Sequence, residues 1–166
     1  MSSLASEIKE WNTPILGAYL LWKYTKGYET SADGRHPEFL LHFVALPILM
    51  SPELSRPICR QRKSFASYAA SFSNEGQSDV LAKLDQMVFE QRANTMTALE
   101  IAIASHLLRW TDDKQRLCAL KVNEKEGVNF VSKSNLDLGK KAFLFGSWSA
   151  YVPLSLFATS LGVKLT

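Results

Sequence analysis

Gly139-Lys140-Lys141, the histidines His36, His42 and His106, the triplet Glu7-Ile8-Lys9 and Ser147 carry the functional groups from which this chain could build chemistry. A phosphate-binding loop needs glycines that let the backbone cradle a phosphate, a lysine for the terminal phosphates and a hydroxyl for magnesium. Around Gly139 that loop fails, because Ser134 stands where the first glycine belongs and Lys141 where the hydroxyl belongs. The histidines show no HxH, HExxH or nearby cysteine–histidine spacing, so no metal site is encoded locally. His42 and His106 fall on apolar faces, the setting of a hydrogen-bonded core or interface histidine. Glu7-Ile8-Lys9 is an ExK triplet, but a magnesium nuclease needs a further carboxylate on a neighbouring strand, and its flanks do not read as strand. Gly146-Ser147-Trp148 lacks the second glycine and the preceding strand of a nucleophile elbow. No nucleophile, base and orienting group can be assembled. The expectation is a non-enzyme with no catalytic, cofactor-binding or metal-binding residues.

One cationic stretch remains. Arg56, Arg60, Arg62 and Lys63 lie within eight residues without an acid, at the junction of two short helices. They read either as a solvated or salt-bridged loop or as phosphate contacts to nucleic acid. A net charge of +3 permits a DNA partner without requiring one. Aromatic residues make up 11% of the chain, with four tryptophans. That apolar surplus suits a core and also a surface that covers a partner, so Trp11, Trp22 and Trp148 are candidate protein-interface anchors.

These residues must be positioned by a chain of 166 residues, 46% of them hydrophobic, which is enough for one core and predicts one domain over residues 1–166. Thr13-Pro14 reads as an N-cap with proline at the first helical position and Gly27 as a C-cap, predicting a helix from about Pro14 to Lys26. Phe39 to Met50 is apolar all round and predicts a buried central helix, kinked at Pro47. Ser51-Pro52-Glu53 and Ser64 begin two short helices in the manner of a helix-turn-helix. From Ser78 to Trp110 apolar residues recur at helical spacing, predicting a long amphipathic helix with a break near Asn94. Leu117 to Val122 and Val128 to Val131 read as two strands of a hairpin at about residues 115–132. Ser134 or Asn135 caps a last helical region that Pro153 divides and Gly162 ends. The fold class is mainly α, a compact helical domain with a small β-hairpin and a winged-helix outline.

Cys59 and Cys118 form no CxxC pair, which fits a reducing cytoplasm. Met1 to Trp11 contains Glu7, Lys9 and Glu10 and so lacks the apolar run of a secretory signal. The longest apolar run falls short of the ~20 residues that span a bilayer. A soluble, cytoplasmic protein without membrane contact is expected.

The order of short motifs adds a resemblance. Trp11-Asn12-Thr13-Pro14 leads into Ala18-Tyr19-Leu20-Leu21-Trp22 and Gly27-Tyr28, and Phe43-Val44-Ala45-Leu46-Pro47-Ile48-Leu49 follows. Leu138-Gly139-Lys140-Lys141-Ala142-Phe143 and Ser160-Leu161-Gly162-Val163-Lys164 complete the series. In this order they resemble the middle component of three-component ABC (ABC-3C) systems, which include Lamassu-type antiphage and antiplasmid defence. The resemblance implies a non-catalytic adaptor in a hetero-oligomer. Its partners would be an SMC-like or Rad50-like ATPase and an effector, often a nuclease, with DNA met through the complex. The rival reading is a stand-alone winged-helix DNA-binding protein that sets Arg56 to Lys63, Lys121, Lys125 and Lys133 against phosphates.

Overall fold

The computed structural model describes residues 2–62, 64–73, 77–122 and 133–165, with side chains from residue 14 onward. Helix α1 runs Ser2–Ser31 and α2 runs Phe39–Met50. The short helices α3 (Pro52–Ser55) and α4 (Phe65–Ala70) follow. Then come α5 (Ser78–Ala82), α6 (Leu84–Glu90) and α7 (Arg92–Ala104), and the strands β1 (Leu108–Trp110) and β2 (Leu117–Ala119). Helices α8 (Lys133–Ser149) and α9 (Leu154–Leu161) close the chain, bent 119° apart. The protein is mainly α with a small antiparallel hairpin.

Helix α1 departs from its predicted limits at both ends. Thr13-Pro14 and Gly27 lie inside it, because tertiary packing of Ala18, Leu21, Tyr24 and Tyr28, all buried, sustains the helix where local capping signals would have ended it. The left-handed turn that terminates α1 comes later, at Asp33 (φ 52°) and Gly34 (φ 82°), with the Gly34 amide donating to the Glu29 carbonyl at 3.0 Å. Gly27 has a different task. Helix α1 packs most extensively against α8, and at their crossing a Cβ on Gly27 would stand 1.9 Å from the Phe143 carbonyl oxygen. A Cβ on Gly146 would stand 2.0 Å from the carbonyl oxygen of Tyr24.

Helix α2 is buried from Leu41 to Leu49, as its composition predicts, and it continues through Pro47. The two serine caps form as predicted: Ser51 Oγ accepts from the Leu54 amide at 3.4 Å and Ser64 Oγ from the Ser67 amide at 3.1 Å. The long helix predicted from Ser78 to Trp110 is three helices, broken at Lys83 and Gln91, and it ends at Ala104. His106, at φ 60°, turns the chain, and Leu108–Trp110 leaves as a strand. Burial of Leu108 and packing of the Trp110 ring on Phe39, with centroids 5.0 Å apart, favour the strand over the helical continuation. While the predicted turn at Asn123 to Gly127 lies outside the described residues, this strand pairs with Leu117–Ala119 in a hairpin that turns at residues 111–116. Asp113 holds that turn by accepting from the Thr111 hydroxyl and the Gln115 amide, and these bonds keep its carboxyl below the usual carboxylate range. The predicted strand Val128 to Val131 lies outside the described residues. Pro153 divides α8 from α9, and Gly162, at φ 69°, ends α9.

His42 is a polar tie inside the core. It is wholly buried, its Nδ1 faces the Glu38 and Phe39 carbonyls at 3.2 Å, and its Nε2 lies 2.9 Å from Thr25 Oγ1. The two carbonyls favour a proton on Nδ1, and the Thr25 hydroxyl that lies against Nε2 donates to the Leu21 carbonyl at 2.8 Å. Burial pushes the His42 pKa down to about 4.

Two predictions follow from this packing. Gly146→Ala forces a methyl into the Tyr24 carbonyl and should lower the denaturant-derived unfolding free energy by about 3 kcal/mol, whereas Gly34→Ala should lower it by about 1 kcal/mol. The unfolded chain protonates His42 near its ordinary value and the folded chain only near pH 4, so stability is full above about pH 6.5 and falls as pH drops towards 4. Unfolding curves at pH 7.5 and 4.5 should show His42→Gln losing about 2–3 kcal/mol less than the parent over that interval. Equal losses in both proteins would disprove the assignment.

Candidate functional site

The tryptophans proposed as anchors are held by the chain itself. Trp22 is 3% exposed, and its Nε1 donates to the Leu120 carbonyl at 2.9 Å, tying α1 to the segment after β2. Lys26 Nζ sits 4.5 Å from its ring centroid. Trp148 is 5% exposed and packs among Tyr68 and Phe145. The side chain of Trp11 lies outside the described residues. Of the histidines, His42 is interior while His106 is exposed, departing from its predicted apolar face because α7 ends before it.

The basic stretch joins a second element. Arg56 and Arg60 are exposed and Arg62 is half-buried, while Lys63 lies outside the described residues. Lys141 of α8 reaches this turn, its Nζ donating to the carbonyls of Ser55 at 2.9 Å, Arg56 at 3.3 Å and Ile58 at 3.0 Å. These are end-of-helix acceptors of α3 and its following turn, and an ammonium satisfies them with favourable charge. The turn is thereby fixed beside α8. A cavity of about 520 Å³ opens there, lined by Lys23, Cys59, Arg60, Lys140, Lys141 and Phe143. The Gly139-Lys140-Lys141 motif therefore splits its work: Gly139 admits the Tyr19 ring, Lys140 is exposed and Lys141 locks the basic turn. Of the hairpin lysines in the rival reading, Lys121 is exposed, Lys133 opens α8, and Lys125 lies outside the described residues.

A second surface feature lies elsewhere. Helices α2, α6 and α7 and the segment after α9 enclose a groove of about 1060 Å³, lined by Phe39, Leu40, Phe43, Val88, Phe89 and Met96 among others. Phe89 is 71% exposed, and Leu40 and Met96 are each 39% exposed. Asp85, Glu90, Arg92 and Lys164 also line it, so it carries charges of both signs. One wall is held by the Lys164 amide, which donates to Asp85 Oδ1 at 2.8 Å. Arg92 lies over the Phe89 ring, 5.4 Å from its centroid. Sequence reasoning missed this groove because the helix break expected near Asn94 falls at Gln91, directly after the turn that carries Phe89, and that break sets the direction of α6 relative to α7.

Among the described residues, no single helix is long and apolar enough to cross a membrane. Neither a curated protein nor a solved structure matches the chain. A family model does: ABC-three component (ABC-3C) system Middle Component 3 matches residues 1–165. The match covers both the glycine-built α1–α8 crossing and the groove, and the chain belongs to this family of ABC-3C middle components.

Proposed function

We propose that this chain is a non-catalytic adaptor that joins an SMC-like or Rad50-like ABC ATPase to a nuclease-type effector, in a cytoplasmic defence complex of the Lamassu type. Membership of a three-component system implies partner subunits. The observation that carries the adaptor reading is the groove, where Phe89, Leu40 and Met96 present apolar surface side by side. Single exposed apolar residues are ordinary on a protein surface, but a contiguous group in a concavity with a charged rim is the form of a docking site. An apolar segment of a partner subunit would seat its anchor side chains against Phe89 and Met96, and Asp85, Glu90, Arg92 and Lys164 would set its register through charge.

Catalysis plays no part in this reading. His42 is wholly enclosed and bonded to Thr25 and backbone carbonyls, so its chemistry is spent on the fold. DNA meets the chain through the complex, with Arg56, Arg60 and Lys140 available to add phosphate contacts.

Tagged parent and Phe89→Glu proteins, expressed with the neighbouring components of their own system, should separate these ideas. The parent is expected to co-purify with the ATPase and the effector. Phe89→Glu should keep the parent's unfolding midpoint, because the side chain is largely outside the core, and lose at least about 2 kcal/mol of partner binding as a central apolar anchor. Undiminished recovery of both partners with Phe89→Glu would remove the groove from the docking role.

A further inference from the structure

We propose that Glu29, His36 and Cys118 form a site for a zinc-class divalent metal ion that staples the end of α1 to the hairpin. The three residues come from the last turn of α1, from the loop after it and from β2, and their ligand atoms all lie within 4.8 Å of one another. All three side chains are half-buried. Glu29 Oε2 and His36 Nδ1 are 3.2 Å apart. Ligands bound to one tetrahedral zinc at ~2.0–2.1 Å stand roughly 3.3 Å from each other, so this pair already has the spacing of two ligands sharing an ion. Cys118 Sγ, whose bond to zinc is longer at ~2.3 Å, lies within 4.8 Å of both other ligand atoms.

The backbone that carries these groups is fixed without the ion. The left-handed turn at Asp33 and Gly34 folds His36 back towards Glu29, and the Gly34 amide donates to the Glu29 carbonyl at 3.0 Å. Arg116 Nη1 donates to the His36 carbonyl at 2.6 Å, and the Leu117 amide to the Pro37 carbonyl at 3.2 Å. Cys118 pairs across the hairpin with Arg109. One outer contact of the kind a metal site uses is in place. Glu29 Oε1 accepts from the Ala119 amide at 2.6 Å, which aims Oε2 at His36 and holds the carboxylate next to Cys118. The nearby Arg116 guanidinium does not compete for Oε2, because it is directed to the His36 carbonyl and to Glu38 Oε1 at 3.4 Å.

The donor set selects the metal. One thiolate, one imidazole nitrogen and one carboxylate oxygen suit zinc and disfavour calcium and magnesium, which take oxygen ligands. The charges balance, with one carboxylate and one thiolate against a divalent cation. Binding displaces the proton of the Cys118 thiol, which now donates to the Ala119 carbonyl at 3.7 Å, and it requires His36 neutral with its proton on Nε2. Three protein ligands leave a fourth position for water or for a side chain of a partner subunit.

The test is a titration of the full-length, freshly reduced chain with zinc chloride against a chromophoric chelator, repeated with cobalt chloride to read thiolate ligation by absorption. One equivalent of zinc per chain and a thiolate-to-cobalt charge-transfer band are expected. Cys118→Ser should abolish the band, and Glu29→Gln and His36→Ala should each weaken zinc about tenfold or more, while Cys59→Ser leaves both readouts unchanged. Failure to bind zinc, a cobalt complex without the band, or equal effects of Cys118→Ser and Cys59→Ser would each overturn the site. The cobalt spectrum of the parent decides the question even where a variant fails to fold.

Discussion

The packing of this protein depends on how closely two helix backbones approach. At the crossing of α1 and α8, Gly27 meets the Phe143 carbonyl and Gly146 meets the Tyr24 carbonyl, each at a distance that excludes even a methyl group. Backbone-to-backbone packing of this kind brings the side chains flanking both glycines into one dense layer. Tyr24 and Phe145 lie 6.0 Å apart between ring centroids, and Phe145 is in turn 5.4 Å from Tyr68 and 5.9 Å from Phe157. Phe65 stacks on Phe157 at 4.8 Å, so α4 and α9 join the same aromatic layer. Were α1 and α8 held farther apart by a larger side chain, Phe145 would withdraw from this layer and four helices would lose a shared wall.

That layer accounts for the aromatic surplus in the composition. A chain with 11% aromatic residues could have spent them on a partner-facing surface, yet Trp22, Trp148, Tyr24, Tyr68, Phe145 and Phe157 are all buried. The cause is geometric. Short helices such as α3 and α4 offer few apolar positions each, and large flat rings let so little chain fill a continuous core. Ile15, Val122, Tyr151 and Leu156 are exposed singly, and the groove presents Phe89, Leu40 and Met96, residues that no tryptophan-based argument would select.

What could be read from the sequence was local, and what could not was set by distant neighbours. Ser51, Ser64, Pro153 and Gly162 act within their own turn of chain, and their capping and breaking roles appear in the fold as their residue types predict. The all-round apolarity of Phe39 to Met50 likewise needs no knowledge of neighbours to imply burial. Gly27 carries the same local signature as a C-cap glycine, but its partner is the Phe143 carbonyl on the far side of the chain, and only the assembled pair distinguishes the two roles. Trp110 continues the helical period of α7 and is nonetheless a strand residue, because pairing with Leu117 and packing on Phe39 outweigh a weak helical preference. The basic turn was visible as a run of arginines, whereas its lock, Lys141, was visible only as a failed phosphate loop.

The same division explains why the groove and the α1–α8 crossing are built from different materials. The crossing uses two helices of 30 and 17 residues, whose long contact can hold a fixed separation. The groove rests on α6, seven residues long, and on α7, with Gln91 as a break between them. On α6, Val88 is 8% exposed while Phe89, about 100° further round the same helix, is 71% exposed. Burying Phe89 would gain roughly 1.5–3 kcal/mol for the isolated chain. Its exposure beside Leu40 and Met96, against a core that encloses so many of the chain's other large rings, is therefore a cost to the subunit alone, and a partner covering the groove would recover it.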